Sequence, residues 1–432
     1  MRRVCLTVIG MCLTIVHAFS QTKDTSAYKS RPLRLDEVNI VSSYYTQTAD
    51  KSAVSGGQTG AIGNGDVTDL ANGIEIKFVG WDGKGRKNNL TGGLGLDHHT
   101  AASQGYVDLN GTAKKDGSRL YPTLDWSIEN TKKGTEFGIG AYYSAEHHYY
   151  HSIGLNTSWS KKNKHNGEFS AKLSGFFDNI RMIYPAELIP VDSATVTTPG
   201  DSTVYVTTAS GRTEALTYST SGTVTTVVAS APISSKTRDS YAASFGWTQV
   251  INTRMQMAFL MDLAYQNGYL GLPFHRVYFK DSATAVVEHL PSNRFKLPLG
   301  VRLNYFLGDN VILRAYYRFY VDSWGLTSHT ASLEVPVKIT PFFSVSPFYR
   351  YYVQTAARYF APYQQHTAED TYYTSNYALS AFSANFFGVG VRIAPPKGIF
   401  FKGFNTLEIR YGHYAETTDL TSDVVSVALK FR

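Results

Sequence analysis

The sequence predicts an all-β protein, a transmembrane antiparallel up-and-down β-barrel of about 16 strands with long extracellular loops. A barrel of 14 strands is the alternative. Three observations lead to this prediction. Many segments alternate apolar and polar residues, the connections between them separate into a short and a long set, and aromatic residues are abundant, with 30 Tyr and 24 Phe in 432 residues. Such aromatic content is typical of the girdles that membrane barrels place at the lipid–water boundaries.

The segment from Asn310 to Asp322 shows the alternation clearly. Its apolar face consists of Val311, Leu313, Ala315, Tyr317, Phe319 and Val321. Its polar face consists of Arg314, Tyr316, Arg318, Tyr320 and Asp322, with Ile312 as the one exception. Successive side chains of a strand point to opposite faces, and this length suits a tilted strand that crosses a bilayer. The apolar face is therefore predicted to meet lipid and the polar face to line a lumen.

Similar segments recur along the chain and give 16 candidate strands. They begin near Glu37, Asn72, Asn89, Leu120, Gly134, Tyr150, Asn166, Asp239, Met255, Leu297, Asn310, Leu326, Phe342, Ser383, Gly403 and Asp423. The last one alternates Val425, Val427, Leu429 and Phe431 with smaller or polar residues and ends one residue before the C terminus. An aromatic residue near the end of the final strand is common in outer-membrane barrels.

The connections between these strands must alternate between the two ends of a barrel. One end receives only short connections, among them 81–88, 130–133, 161–165, 252–254, 308–309, 339–341 and 394–402. The other end receives every long one, namely 48–71, 101–119, 179–238, 267–296 and 356–382, and also the short ones near Glu146, Ser323 and Glu416. Bacterial barrels place short turns on the periplasmic side and long loops outside, whereas a soluble sandwich has no reason to separate its loops in this way.

The N-terminal residues 1–20 are predicted to be a secretory signal peptide. Arg2 and Arg3 precede an apolar run that is too short to span a bilayer, and small residues follow at the expected cleavage site. Residues 21–36 are predicted to be a disordered periplasmic lead-in, and residues 37–432 to be the barrel. Cys5 and Cys12, the two cysteines of the chain, lie in the signal peptide, so the mature chain is expected to lack disulfides and thiolate metal sites.

Charged residues on the predicted lumen face fall into two groups. The early strands contribute an acidic wall of Glu75, Asp97, Asp125, Glu129, Glu136 and Glu168. The late strands contribute Arg302, Arg314, Arg318, Arg350, Arg392 and Arg410, together with Thr330 and Glu334. Opposed charged walls create a field across a lumen and govern which ions and solutes pass. The net charge of +7 does not indicate nucleic-acid binding, because no basic run concentrates it.

Turn lengths predict which of these side chains are neighbours. The expected neighbours are Arg314 with Glu334, Arg318 with Thr330, and Arg350 with Thr330. Two interpretations follow. The row is a binding strip for an anionic group, since arginine presents a fork that suits carboxylate or phosphate. Alternatively, it is a network of ion pairs and hydrogen bonds that stiffens the wall.

The sequence indicates neither an enzyme nor a metal centre, and no cofactor is expected. His98, His99, His147, His148 and His151 lie near the outer ends of strands, but their spacing matches no metal-binding motif. The pairs Asp97–His99 and Ser328–His329 are the nearest catalytic candidates, and neither forms a recognisable nucleophile motif.

Several stretches resemble a Gram-negative family of outer-membrane barrels that is known only as a domain of unknown function. These are SAVSGG at 52–57, GYLGLPFHRVYF at 268–279, YRFYVDSWGLTSHT at 317–330, YRYYVQTAARYFAP at 349–362 and YYTSNYALSAF at 372–382. The resemblance implies the fold and a location in the bacterial outer membrane, but no activity. The expected function is a pore or transporter for a small solute, with an anionic solute indicated by the arginines. The alternative is a structural barrel that scaffolds a periplasmic or surface lipoprotein, or a redox assembly, at the outer membrane.

Overall fold

The computed structural model describes residues 30–49, 65–100, 116–146, 149–184, 191–196, 202–207, 213–218, 225–230, 234–272, 274–282 and 284–432. Sixteen wall strands form one antiparallel sheet. They are β1 (Arg31–Ala49), β2 (Val67–Trp81), β3 (Lys87–Thr100), β4 (Asp116–Asn130), β5 (Thr135–Glu146), β6 (Tyr150–Lys162), β7 (Gly167–Arg181), β8 (Ser235–Asn252), β9 (Met255–Gly268), β10 (Asn293–Leu307), β11 (Val311–Asp322), β12 (Thr327–Glu334, continuing as Val337–Thr340), β13 (Phe343–Gln354), β14 (Phe382–Ile393), β15 (Phe404–Glu416) and β16 (Leu420–Phe431).

The sheet closes on itself, because β1 pairs with β2 on one side and with β16 on the other. Each remaining strand pairs with its neighbours in the sequence, so the topology is up-and-down throughout. The predicted all-β barrel of 16 strands is therefore confirmed. Strand β1 begins at Arg31, so residues 31–36 of the predicted disordered lead-in lie in the wall. Residues 1–29, which include the predicted signal peptide, lie outside the described residues.

The outward face of the barrel is apolar, and the described parts of the chain leave it uncovered. Side chains such as Leu155, Leu173 and Phe259 point outward and keep more than half of their surface exposed, at 55%, 57% and 53%. An apolar surface of this extent on a closed sheet is unfavourable in water and suits a lipid bilayer. The barrel is thus a membrane-spanning one.

Helical structure in the described residues is confined to one short 3₁₀ helix, Tyr377–Leu379. Within those residues no helix is long and apolar enough to span a membrane.

One end of the barrel, which we call the near end, holds Arg31, the C-terminal end of β16 and the turns that follow the even-numbered strands from β2 to β14. Three other short turns, after β5, β11 and β15, lie at the opposite end. At the near-end turn after β10, Gly308 has a φ of +68°. Glycine adopts this left-handed conformation without steric cost, so β11 can begin only three residues later. The longer connections lie at the opposite end, which we call the far end, in agreement with the predicted separation of the loops.

Strand β12 is interrupted within the wall at Val335 and Pro336. Proline has no N–H to donate, and the main-chain bonds at this point run instead from Ile312 N–H to the Pro336 carbonyl at 3.0 Å. The near-end turn that follows is centred on residues 341–342, after an irregularity in the pairing between Lys338 and Thr340. This shifts the alignment with β13 by two residues from the predicted one.

The longest loop, predicted at residues 179–238, contains a hairpin of two successive ladders. Val191–Val196 pairs with Thr225–Ser230, and Ser202–Thr207 pairs with Thr213–Tyr218 inside it. The remaining residues between 185 and 233 lie outside the described part of the chain.

Two other far-end connections pack against each other and form what we call the cap. The cap comprises residues 269–272, 274–282 and 284–292 from the β9–β10 connection and residues 355–381 from the β13–β14 connection. Arg276–Tyr278 and Ala285–Val287 form a small hairpin in the first connection. Isolated bridges join the two connections, between Phe279 and His366 and between His289 and Tyr373.

The cap reaches into the far mouth of the barrel. Ala357 and Leu379 of the cap form an apolar core with Trp324 and Leu326 of the β11–β12 turn, and Tyr320 of the β11 lumen face packs against this core. Gln354, the last lumen-face residue of β13, donates from Nε2 to the carbonyls of Ala378 and Ser380, at 3.0 and 2.5 Å. The cap therefore rests on lumen-facing side chains of β11 and β13.

Candidate functional site

Three of the predicted residues, Arg314, Glu334 and Arg410, form a compact network with Glu408 towards the near end of the lumen. The Glu334 carboxylate lies 3.3 Å from the guanidinium of Arg314 and 3.4 Å from that of Arg410. Arg410 also lies 3.2 Å from Glu408 on its own strand. Two cations and two carboxylates thus neutralise one another. For these residues the structure supports the interpretation as an ion-pair network.

The network spans the lumen side of the wall, because Arg410 on β15 reaches Glu334 on β12 although β13 and β14 lie between them. Small residues make this reach possible, since Ser346 and Gly390 line the space that the side chains cross. A pocket of about 160 Å³ remains there, and Lys338 and Arg392 also line it.

Three further arginines lie in the lumen closer to the far end than this network. Arg302, Arg318 and Arg350 are exposed to the lumen on β10, β11 and β13. Within the part of the chain that the structure describes, none of the three forms an ion pair with a carboxylate. Two of them lie over aromatic rings, Arg302 at 5.8 Å from Tyr316 and Arg350 at 4.8 Å from Phe386. These contacts hold the guanidinium groups without neutralising them.

The pairing of the strands explains why no carboxylate reaches these arginines. One row across the wall reads Arg302, Tyr316, Ser332, Arg350, Phe386 and Tyr414. The adjacent row reads Gly300, Arg318, Thr330, Tyr352, Ala384 and Glu416. The single acid in these two rows is Glu416, at the last position of the second row, and it accepts a hydrogen bond from the Tyr414 hydroxyl at 2.6 Å.

The predicted neighbours are confirmed for two pairs and wrong for one. Arg314 pairs with Glu334 and Arg318 with Thr330, as expected. Arg350 pairs with Ser332 instead of Thr330, because of the two-residue shift between β12 and β13. Thr330 is nevertheless placed beside Arg318, and its Oγ1 is buried without a hydrogen-bond partner. We refer to Arg302, Arg318, Arg350 and Thr330 as the arginine strip.

Arg392, the remaining predicted arginine, lies apart from the strip at the near end. It lines a pocket of about 530 Å³ together with Glu75, Glu408 and Lys430. Glu75 is the one predicted acidic-wall residue in this pocket, and it accepts a hydrogen bond from Asn39 at 3.3 Å. Cations and acids mix here, so the pocket carries no single sign of charge.

The predicted acidic wall is partly neutralised. Asp97 forms an ion pair with Arg119 and accepts a hydrogen bond from the Tyr121 hydroxyl at 2.8 Å. Glu129 lies 3.2 Å from the ammonium of Lys162. Asp125 accepts a bond from the Tyr142 hydroxyl at 2.9 Å. Glu136 and Glu168, the other two predicted acids, lie in β5 and β7.

Sequence reasoning missed the cations that neutralise the acids at the far end. Arg119 lies inside β4, although the sequence placed it in a loop. Arg238 lies 2.7 Å from Asp178, and Arg294 forms an ion pair with the fully buried carboxylate of Asp322. Each of these arginines lies in the far-end portion of a strand, where the alternation of apolar and polar residues gives little signal.

The histidines make local contacts at the rim. His98 lies 2.9 Å from the Ser118 hydroxyl, and His99 lies 3.2 Å from Glu146. His329 bonds the Tyr317 hydroxyl at 2.7 Å on the outward face. Among the described residues, no group of three or more His, Cys, Asp or Glu side chains is arranged to hold a metal ion. His147 and His148 lie outside those residues.

Comparison with solved structures finds distant similarity to outer-membrane proteins. OprD of Pseudomonas aeruginosa is 8% identical, with a TM-score of 0.40, and the alignment covers 95% of this chain and 96% of that one. CdiB of Acinetobacter baumannii is 7% identical, with a TM-score of 0.42 and coverage of 93% and 66%. The translocator domain of the autotransporter NalP of Neisseria meningitidis is 9% identical, with a TM-score of 0.30 and coverage of 100% and 97%. Similarity this distant does not define a ligand or an activity.

The search of curated proteins found no match. A family model does match, over residues 112–421, which is well over half of the chain. The matched residues include the whole arginine strip and the cap. The chain therefore belongs to the family described as "Protein of unknown function (DUF3570)".

Proposed function

We propose that this protein is a non-enzymatic outer-membrane pore or transporter for a small anionic solute. The observation that carries the proposal is the arginine strip, in which three lumen-exposed guanidinium groups form no ion pair with any carboxylate that the structure describes. Strands lie about 4.8 Å apart, so Arg302 and Arg350 are separated by about 14 Å along the wall, with Arg318 between them. This spacing suits a carboxylate- or phosphate-bearing solute that moves from one arginine to the next.

Electrostatics supports this proposal. Barrels of 16 strands are wide enough to leave an aqueous channel. Exposed, unneutralised charges on its wall raise the local concentration of counter-ions, whereas paired charges such as Arg314 and Glu334 contribute little field. The buried Thr330 hydroxyl beside Arg318 adds a hydrogen-bond donor of the kind that an oxyanion accepts.

A scaffold for a partner lipoprotein or redox assembly is a second candidate, and the cap favours it. The cap packs on Tyr320 and Gln354 at the far mouth, so it narrows the route to the arginine strip. A barrel with a closed mouth conducts no solute and serves to hold a partner.

Single-channel recording in a planar bilayer separates the two candidates. The purified barrel is expected to show steady openings with a preference for anions. Arg318→Ala and Arg350→Ala should each lower that preference, measured as the reversal potential in a salt gradient. Arg86→Ala is the matched control, because Arg86 pairs with Asp82 at 2.7 Å in a near-end turn and lies outside the strip.

A folded barrel that never opens would favour the scaffold. Openings whose selectivity is the same in the native chain, Arg318→Ala and Arg350→Ala would show that the strip does not select anions.

A further inference from the structure

The two connections of the cap are joined at one buried carboxyl group, that of Glu288. The Glu288 residue lies in the β9–β10 connection and is 5% exposed. Its Oε2 accepts a hydrogen bond from the Thr374 hydroxyl of the β13–β14 connection at 2.5 Å. Its Oε1 accepts from the Leu272 main-chain N–H in its own connection. Glu288 thus fastens one half of the cap to the other.

Among the described residues, the groups that act on the Glu288 carboxyl are the Thr374 hydroxyl and the Leu272 N–H. Arg276 lies nearby in the hairpin, opposite Val287, and the His366 ring bonds the Thr374 carbonyl at 3.0 Å. From the end of β9, Tyr269 approaches with a buried hydroxyl that has no hydrogen-bond partner. The Lys236 ammonium of β8 lies over the Tyr269 ring, 4.9 Å from its centre. The His289 ring bonds the Thr371 carbonyl at 2.8 Å, and Tyr184 packs against Tyr269 from the segment after β7.

The chain fits closely around the carboxyl, although Glu288 also lines a pocket of about 500 Å³ with Tyr269 and His289. A side chain at Gly271 would place its first carbon 3.2 Å from Glu288 Oε1 and 3.4 Å from the Tyr269 hydroxyl. Thr374, which donates to the carboxyl, is fully buried. A charged carboxylate in such a place is costly, and a neutral carboxyl is not.

We propose that Glu288 is a pH-sensitive latch, which holds the two halves of the cap together when it is neutral and lets them separate when it is ionised. The direction follows from the burial of the group. Burial raises the pKa of Glu288 to about 7 in the closed cap and outweighs the two hydrogen bonds that favour the carboxylate. In an open, hydrated cap the pKa returns to an ordinary value. The closed cap is therefore most stable at acidic pH and is weakened as the pH rises through 7.

The consequence for the lumen rests on the proposed function. The cap contacts Tyr320, two residues beyond Arg318 on β11, and Gln354, four residues beyond Arg350 on β13. Opening of the cap at higher pH therefore uncovers the route from the far mouth to the arginine strip.

The latch can be tested by the accessibility of a thiol placed beside it. Ser375 follows Thr374, is 1% exposed, and its Oγ has no hydrogen-bond partner, so Ser375→Cys is a mild change. With Cys5 and Cys12 replaced by serine, this thiol is unique in the chain. Labelling by a neutral maleimide then requires the cap to open.

The measurement compares labelling rates at pH 6 and pH 8, each divided by the rate of the exposed reference variant Ala368→Cys. This ratio removes the intrinsic pH dependence of the thiol. The ratio should rise about tenfold from pH 6 to pH 8 when Glu288 is present, because the pKa of Glu288 is higher in the closed cap than in the open cap. Adding Glu288→Gln, which keeps the shape without the charge, should abolish the rise.

An equal rise in the Glu288→Gln background would overturn the latch, because another group would then control the cap. The absence of labelling at both pH values would also overturn it, since the cap would not open. The readout is a labelling rate and does not depend on conduction, so a failure of the latch is distinguishable from a failure of the proposed pore.

Discussion

Replacing Asp322 is expected to destabilise the far end of the barrel more than any change at an exposed acid. The Asp322 side chain is fully buried at the end of β11. Its Oδ2 accepts from the Arg294 guanidinium and from the Tyr320 hydroxyl, the latter at 2.8 Å. Its Oδ1 accepts from the main-chain N–H groups of Trp324 and Leu326, at 2.9 and 3.2 Å. One carboxylate therefore fixes both the ion pair and the turn into β12.

The magnitude follows from what each substitution leaves behind. Asp322→Ala leaves Arg294 as an unpaired charge that is only 14% exposed. Removing one partner of a buried pair costs about 3–5 kcal/mol, and a stranded buried N–H costs about 1–3 kcal/mol more when it finds no water. These terms overlap, so we expect a loss of about 4 kcal/mol. Asp322→Asn keeps an oxygen for the turn and loses the charge, for an expected loss of about 2 kcal/mol.

The assay is urea unfolding of the barrel in lipid vesicles, followed by tryptophan fluorescence. Trp324 is a suitable local reporter, because Arg294 lies 4.3 Å from the centre of its ring. Asp309→Ala, in an exposed near-end turn, is the control and should change the free energy of unfolding by less than about 0.5 kcal/mol. The double variant Arg294→Leu, Asp322→Asn should lose less free energy of unfolding than the sum of the losses in the two single variants, because no unpaired charge remains.

The expected cost of burial would be refuted if Asp322→Ala lowered the free energy of unfolding by less than about 1 kcal/mol, which is the value for a surface ion pair. Additive losses in the double variant would refute the coupling between Arg294 and Asp322.

Two further predictions concern the lumen and the packing of the wall. Glu334→Gln should raise the anion preference about twofold in reversal-potential measurements, because it frees Arg314, leaves Arg410 paired with Glu408 alone, and adds one net positive charge to a screened aqueous lumen. An unchanged preference would show that this network does not face the permeation path. Gly388→Ala should prevent folding, because a Cβ at this position would lie 2.0 Å from the Tyr411 carbonyl oxygen. The measurement is loss of the folded band in an unheated SDS gel. Gly73→Ala is the control and should fold normally, since nothing lies within 4 Å of its Cβ position.

The sequence predicted the wall well because each wall strand carries its own signal. Alternation depends only on the residues of one strand, and lipid on one side with water on the other enforces it in every strand. The alignment of two strands depends on the turn between them. The connection after Asp322 is short and regular, so Arg314 was matched correctly with Glu334. The interruption at Val335 and Pro336 and the irregular turn that follows leave no periodic signal, so the partner of Arg350 was misplaced.

The neutralising cations were missed for a related reason. Arg119, Arg238 and Arg294 lie in far-end portions of strands that continue beyond the apolar band. Outside lipid, the outward face no longer needs to be apolar, so the alternation that marks a strand disappears although the strand itself continues. Asp97 and Asp322 were therefore interpreted as free lumen charges, whereas each is bound to an arginine from an adjacent strand.

The cap could have been expected in outline, though not in detail. Its two connections are rich in aromatic residues, and rings from both meet in it, as Phe279 does with Tyr373 at 4.8 Å and Tyr278 with Tyr363 at 4.9 Å. Loops that only face water have no physical reason to carry so many rings, and loops at a barrel mouth cannot bury them in lipid. The rings must therefore pack against one another, which requires the loops to fold together. The pairing of particular rings, and the role of Glu288 in joining the two halves, depend on contacts between residues more than 80 positions apart. A single sequence carries no periodic signal for such contacts.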